Sequence, residues 1–315
     1  VRIIPFGKTG LRVSELGLGC ARIGGIFQQD PGGFVNLLAA AKDSGITFFD
    51  TADMYSQGES ETLIGKAFRR QRHQIVIASK VGYCLPTQRR MIARIKPFVR
   101  PLIRVLKIKR DKLPSSVRGE LAQNFSPAYI RTAVDASLRR LRTDYLDVLQ
   151  LHSCPADVVE RGEWAETLND LRRAGKIRFY GISCDTLASA RAALRYPDVA
   201  SLQIVVSLLE QSFAREIVPL AHAQQTAVIA RECLANGLLV KAEADIDLKS
   251  FCHSPEQEEQ RRKELAGYRE TAAARGIPLS RLALEYATGL EGVSVSLIGV
   301  RNLAQLKATL RDFNA

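Results

Sequence analysis

No hydrophobic run in these 315 residues approaches the roughly 20 needed to span a bilayer, and the stretch from Val1 to Gly10 shows neither the basic nor the apolar region of a secretory leader. No membrane-spanning helix is expected, and the cytoplasm is the expected location. The six cysteines stand apart at positions 20, 84, 154, 184, 233 and 252, with no C-x-x-C pair and no local histidine cluster. That argues against a disulfide framework and a zinc site, so reduced thiols and no metal are expected. There is also no internal repeat of roughly 20–50 residues and no low-complexity linker, which argues against a solenoid and against a second domain.

What is present is the composition of a globular chain with a sizeable core, 46% hydrophobic and 25% charged. The net charge of +12 is unevenly spread. Cys84 to Asn124 holds eleven Lys or Arg against two acids, and the rest of the chain is nearly balanced.

After a hairpin expected around Gly7-Lys8-Thr9-Gly10, short β-like runs alternate with longer helical patterns, the signature of parallel βα units. Strands are predicted near Glu15–Leu18, Thr47–Phe49, Ile75–Ser79, Leu146–Leu151, Ile177–Gly181, Ser201–Ile204, Ala227–Ala230 and Val293–Ile298. Helices are predicted over Phe34–Ser44, Ser60–Arg70, Pro127–Leu141, Glu163–Ala174 and Ala214–Ala221, with Gly45, Gly175 and Gly276 at helix stops. Eight such units fit a single (β/α)₈ TIM barrel domain over residues 1–315, with its active site at the C-terminal ends of the strands. An open doubly wound sheet is the rival reading.

The ends of three predicted strands carry chemistry. The second runs into Phe49-Asp50-Thr51-Ala52-Asp53-Met54-Tyr55, the third ends in Ser79-Lys80 and the fourth in Leu151-His152. Carbonyl reduction by hydride needs a proton donor for the developing alkoxide, and a free tyrosine, pKa roughly 10, is a weak acid at neutral pH. An ammonium at Lys80 would lower the pKa of Tyr55, and a carboxylate at Asp50 would hold that ammonium. His152 would hydrogen-bond the substrate oxygen. Each residue alone has an ordinary structural reading, as a solvated Lys, a turn-capping Asp or a hydrogen-bonded His. Four at equivalent strand ends are harder to dismiss.

With these residues the chain resembles the aldo-keto reductase superfamily over nearly its whole length. The likeness is carried by Phe6–Ser14, Asp50–Tyr55 with Glu59, Gly65 and Ala67, Ile77-Ala78-Ser79-Lys80, Leu138–Asp147 with Leu151-His152, Gly175–Arg178 with Gly181-Ile182-Ser183, Gln203, and Ile298–Asn302. The resemblance implies a (β/α)₈ barrel, NAD(P) lying across the C-terminal rim, and a catalytic tetrad falling on Asp50, Tyr55, Lys80 and His152. It also implies that Ser183 and Gln203 hold the nicotinamide carboxamide and that Gly299, Arg301 and Gln305 hold the adenosine end and its phosphates. Arg231, directly after the seventh predicted strand, is a further cofactor-binding candidate.

Three positions depart from the family pattern: Cys184 stands where Asn is usual, Val206 where an aromatic stacks on the nicotinamide, and Thr309 where an Asn commonly faces the adenine. Within the superfamily, Gly181-Ile182-Ser183 and Ser294–Gly299 look most like sugar dehydrogenases of the L-galactose or L-fucose type. NADP is the first choice of cofactor because Arg301 can pair with a 2′-phosphate; NAD is the alternative.

The connection from Lys80 to the helix at Pro127 exceeds 40 residues, far beyond an ordinary βα loop. This basic insertion after strand 3, residues 84–124, is expected over the rim. Met91, Ile95, Phe98, Leu102 and Val105 would share one helical face opposite Arg90, Lys96, Arg100, Arg104 and Lys107, with Pro97 and Pro101 interrupting. A lid is the favoured reading, and docking to an anionic membrane or partner protein through 89–110 is the other. Nucleic acid is not expected as a partner, because few aromatics are interleaved for stacking.

The leading functional expectation is an NAD(P)-dependent oxidoreductase acting on a small aldehyde, ketone or aldose, or on the corresponding alcohol. The alternative from another class is a cofactor-binding sensor or scaffold barrel with little turnover.

Overall fold

The structure is a computed structural model describing residues 1–24, 31–84, 121–252 and 254–314. An antiparallel pair, β1 (Ile3–Pro5) and β2 (Arg12–Ser14), comes first, joined by a tight turn over Gly7–Thr9. Eight parallel strands follow: β3 (Leu16–Gly19), β4 (Phe48–Asp50), β5 (Val76–Val81), β6 (Leu146–Leu151), β7 (Ile177–Ser183), β8 (Val199–Val205), β9 (Ala227–Arg231) and β10 (Val293–Gly299). They pair in chain order and close where β10 meets β3, with Ser296 opposite Leu16 and Ile298 opposite Leu18. Closure excludes the open sheet. All eight predicted strands are present, and they form from near-continuous apolar runs because a parallel sheet is covered on both faces.

The strands alternate with α1 (Pro31–Asp43), α2 (Glu59–Ala67), α3 (Pro127–Leu141), α4 (Ala156–Arg161), α5 (Trp164–Arg173), α6 (Leu187–Ala193), α7 (Ser212–Glu216), α8 (Val218–Ala223), α9 (Pro255–Ala274), α10 (Leu279–Gly289) and α11 (Leu303–Asn314). Ser126 caps α3, its side chain accepting from Tyr129 N at 3.4 Å, with Pro127 in the first turn, where no N–H is required. Gly45, Gly175 and Gly276 follow α1, α5 and α9 with φ of 90°, 72° and 64°. The predicted helix over 214–221 is instead two short ones. Pro219 lies in the first turn of α8 and cannot continue the hydrogen bonds of α7.

Three apolar clusters fill the interior of the described residues, the smallest packing Leu208, Leu238 and Leu239 against Leu265 on α9 and Leu282 on α10. Of the larger two, one fills the space between the barrel and its helices, and the other lies inside the barrel. Phe6, Leu11 and Val13 from the first hairpin join Phe48, Val76, Val148, Ile229 and Val295 in the inner cluster, so the hairpin plugs the N-terminal end of the barrel. Polar side chains are left to the opposite rim. The basic stretch 89–110, with its amphipathic pattern, lies outside the described residues, and of the 84–124 insertion only the two ends are seen, Tyr83 bridging to Gln123. No helix among the described residues is long and apolar enough to cross a membrane.

Candidate active site

Strand alternation assembles the rim. Phe48, Val76, Ala78, Val148, Ala227 and Ile229 face the barrel interior, so with a period of two the next inward positions are Asp50 on β4, Lys80 on β5, Gln150 on β6 with His152 just beyond its end, and Arg231 on β9. Ser79, between Ala78 and Lys80, points the other way and bonds Glu61 on α2 at 2.6 Å. The candidates converge because each is one or two strand repeats above the apolar plug.

Lys80 is fully buried. Its Nζ donates to Asp50 Oδ2 at 2.6 Å, to the Thr51 carbonyl at 3.0 Å and to the Tyr55 hydroxyl at 3.4 Å. Asp50 Oδ1 accepts from Gln203 Nε2 at 2.8 Å and from Gln150 Nε2 at 3.3 Å. Four side chains from β4, β5, β6 and β8 thus share one charge-balanced cluster. Burial opposes the ammonium, but Asp50 and Tyr55, by charge and hydrogen bond, outweigh it and hold the Lys80 pKa above the ordinary value.

Tyr55 is brought to Lys80 by a tight loop in which its N–H donates to the Ala52 carbonyl at 3.1 Å. Ser56 and Gln57 follow with φ of 51° and 58°, a left-handed conformation costing such residues about 1 kcal/mol or more each. Ser56 Oγ offsets part of that by donating to the Ile23 carbonyl at 3.0 Å. Lys80 pulls the Tyr55 pKa down as expected, but the net shift is upward. Burial raises the Tyr55 pKa and Asp50 adds to the rise, and the opposing pull of Lys80 does not bring the phenol below its ordinary value. The tyrosine is held protonated at neutral pH, with the Lys80 ammonium 3.4 Å from its hydroxyl.

His152 lies edge-on to Tyr55 and to Tyr83, ring centroids 5.7 and 4.8 Å apart. Burial, then the charges of Lys80 and Arg231, hold its pKa well below 6.5, so the imidazole is neutral at neutral pH. Its Nδ1 is buried without a hydrogen-bond partner among the described residues. A neutral ring beside a phenol can donate to a carbonyl oxygen without competing for the proton.

The structure adds residues that sequence reasoning passed over. Gln150 is one, marked in the sequence only by being a polar residue inside an apolar strand. Another is Asp53, between Asp50 and Tyr55, whose Oδ1 is buried without a partner among the described residues. Burial and the neighbouring Glu61 push its pKa up to about 7, against Arg140 and Lys80. Glu61 is itself buried and takes Arg140 Nε at 2.6 Å, so two carboxyls face one guanidinium. With a folded pKa above the unfolded value near 3.8, Asp53 contributes stability at low pH that is lost as the pH rises toward 7. Asp53→Asn is therefore expected to gain stability relative to the parent protein between pH 5 and pH 8. Thermal unfolding of both proteins at the two pH values measures this, and an unchanged difference would refute it.

The expected cofactor positions fall on the same rim. Ser183 ends β7, and Gln203 on β8 is tied to Asp50 as well as being available through its other amide atom. Gly299 ends β10 beside open space, since an added Cβ there meets nothing within 4 Å. Arg301 is exposed, its N–H donating to Gln305 Oε1 at 2.9 Å at the start of α11. Burial and then Arg301 lower the pKa of Arg22. Arg301 stands at a helix N-terminus with the Arg22 charge in electrostatic range, a setting that suits a phosphate. Arg22 went unnoticed because 279 residues separate it from Arg301 in sequence. Cys184 is a neutral thiol, its pKa pushed up to about 12 by burial, and its Sγ is turned to the Ile182 carbonyl. Val206 is fully buried. Polar groups suited to a carboxamide, at Ser183 and Gln203, and groups suited to a phosphate, at Gly299 and Arg301, thus lie at the C-terminal ends of the strands, while Cys184 and Val206 are buried away from solvent.

Known proteins agree. The Aldo/keto reductase family model matches residues 15–315. The chain is 27% identical to the uncharacterized oxidoreductase YqkF of Bacillus subtilis (strain 168), over 98% of this chain and 90% of that protein. It is 28% identical to pyridoxal 4-dehydrogenase of Microbacterium luteolum, over 96% of this chain and 90% of that protein. Among solved structures, the holo form of aldo-keto reductase AKR11C1 from Bacillus halodurans superposes with a TM-score of 0.77 at 28% identity, covering 100% of this chain and 91% of that one.

Proposed function

Since the chain belongs to the aldo/keto reductase family, whose members are NAD(P)-dependent oxidoreductases acting on carbonyl compounds, we propose that it reduces an aldehyde, ketone or aldose with Tyr55 as the proton donor. The observation that carries this reading is the Lys80 ammonium, within hydrogen-bonding distance of Asp50 on one side and the Tyr55 hydroxyl on the other. No observation favours a non-enzymatic sensor or scaffold.

The cofactor supplies the hydride when bound. The carbonyl oxygen sits between the Tyr55 hydroxyl and the neutral His152 ring, which donate to it and orient the carbon. As negative charge grows on that oxygen, Tyr55 gives up its proton and Lys80 balances the phenolate. Asp50 is a positioning residue that keeps the ammonium charged and in place, and Gln203 and Gln150 keep Asp50 in place. Run in reverse, the phenolate takes the proton of an alcohol.

Ser183 and Gln203 would hold the carboxamide, while Gly299, Gln305, Arg301 and Arg22 would hold the phosphates. The two guanidiniums support NADP over NAD. The cytoplasm is the compartment proposed, on the scattered spacing of the six cysteines in the sequence. Titration with NADPH and NADH, followed by turnover on a panel of aldehydes, ketones and aldoses, tests the whole reading. NADPH is expected to bind about tenfold tighter, the low end of what one charge-assisted bond contributes. Absence of binding by both cofactors would refute it.

A further inference from the structure

The guanidinium of Arg231 has no task in the steps above. It ends β9 and reaches Asp185, beyond the end of β7, with Nη2 to Oδ1 at 2.6 Å, and it pairs with Glu232 through Nη1. β8 lies between β7 and β9 in the barrel. The ion pair therefore links the strand ends on either side of Gln203 and Val206. Its two carboxylates are turned toward water, with side chains 51% and 36% exposed, against 23% for Arg231. The Arg231 Nε is buried and has no acceptor among the described residues. The charge of Arg231 is felt at both Tyr55 and His152: behind burial and Lys80, it opposes the rise of the Tyr55 pKa and adds to the fall of the His152 pKa.

Hydride transfer needs the nicotinamide ring about 3–3.5 Å from the carbonyl carbon. A cation that acts on both groups holding the carbonyl oxygen therefore acts on the ring as well. The reduced ring is neutral and the oxidised ring is a pyridinium cation, so a partly buried guanidinium treats the two forms differently. We propose that Arg231 sets the redox preference of the cofactor site, admitting the reduced nicotinamide and disfavouring the oxidised one. Loading is thereby biased toward carbonyl reduction and release toward the spent cofactor. The proposal rests on the nicotinamide reading of this rim. It differs from a phosphate contact made by Arg231, which would serve both redox forms equally.

Calorimetric titration of NADPH and NADP⁺ into the unaltered protein, Arg231→Gln and Arg231→Lys separates these roles. The unaltered protein is expected to bind NADPH more tightly. In Arg231→Gln the ratio of the two Kd values should shrink by about five- to tenfold, chiefly through tighter NADP⁺ binding, and Arg231→Lys should keep it. Asp185→Asn, which removes a neutralising carboxylate and leaves the arginine in place, should widen the ratio and provides a second readout if Arg231→Gln does not fold. Equal weakening of both forms in Arg231→Gln, or a ratio unchanged in both Arg231→Gln and Asp185→Asn, overturns the proposal. If the unaltered protein binds neither form, the nicotinamide reading itself fails.

Discussion

Tyr55→Phe is expected to lower kcat for carbonyl reduction by about 10²–10⁴-fold, the range that a positioned acid or base contributes, while leaving cofactor affinity and thermal stability nearly unchanged. The phenol ring stays in place and only the hydroxyl is lost, with its 3.4 Å contact to Lys80. That contact is long and its partner keeps two closer acceptors, Asp50 and the Thr51 carbonyl, so Lys80 is not left unpaired. Because the Tyr55 pKa is raised, the proton is present across the neutral range. The loss should appear in kcat at every pH from 6 to 8 rather than as a shifted profile. Steady-state kinetics with NADPH and a panel of aldehydes provides the measurement. Undiminished turnover would remove Tyr55 from the mechanism.

Lys80→Met should be the most damaging single change to stability, about 3–5 kcal/mol, the usual consequence of removing one partner of a buried ion pair. Asp50 would remain inside the barrel with only the Gln203 and Gln150 amides to answer its charge. Neutralising it in the same chain, as Lys80→Met with Asp50→Asn, should restore much of the loss because no buried charge then lacks a counter-ion. Activity should not return with stability, since the phenolate formed at Tyr55 would have no ammonium beside it. Urea unfolding of the single and double variants distinguishes the two effects. A single variant as stable as the unaltered protein would show that the pair does not bear on the fold.

Much of the rim could be read in the sequence because strands place side chains by simple alternation. A residue two or four positions beyond an inward apolar residue is also inward, so Asp50, Lys80, His152 and Arg231 were legible once the strands were placed. Helices were read less evenly. The break at Pro219 depends on how the chain packs after β8, and Gln150 and Asp53 have no motif that separates them from ordinary strand and loop residues. Arg22 feels the charge of Arg301 only because β3 and β10 close the barrel.

The sequence by itself determined the alternation of strand and helix and the set of polar residues at the C-terminal ends of the strands. Those properties depend on local periodicity and on the order of residue types along each strand. Tertiary structure decided the protonation states. Tyr55 keeps its proton, His152 stays neutral, Lys80 stays charged and Asp53 titrates near 7, with burial opposing the charged form of each. Charge at such sites depends on how much water the closed barrel excludes and on which opposite charge stands within a few ångströms, and neither quantity exists until distant strands have been brought together.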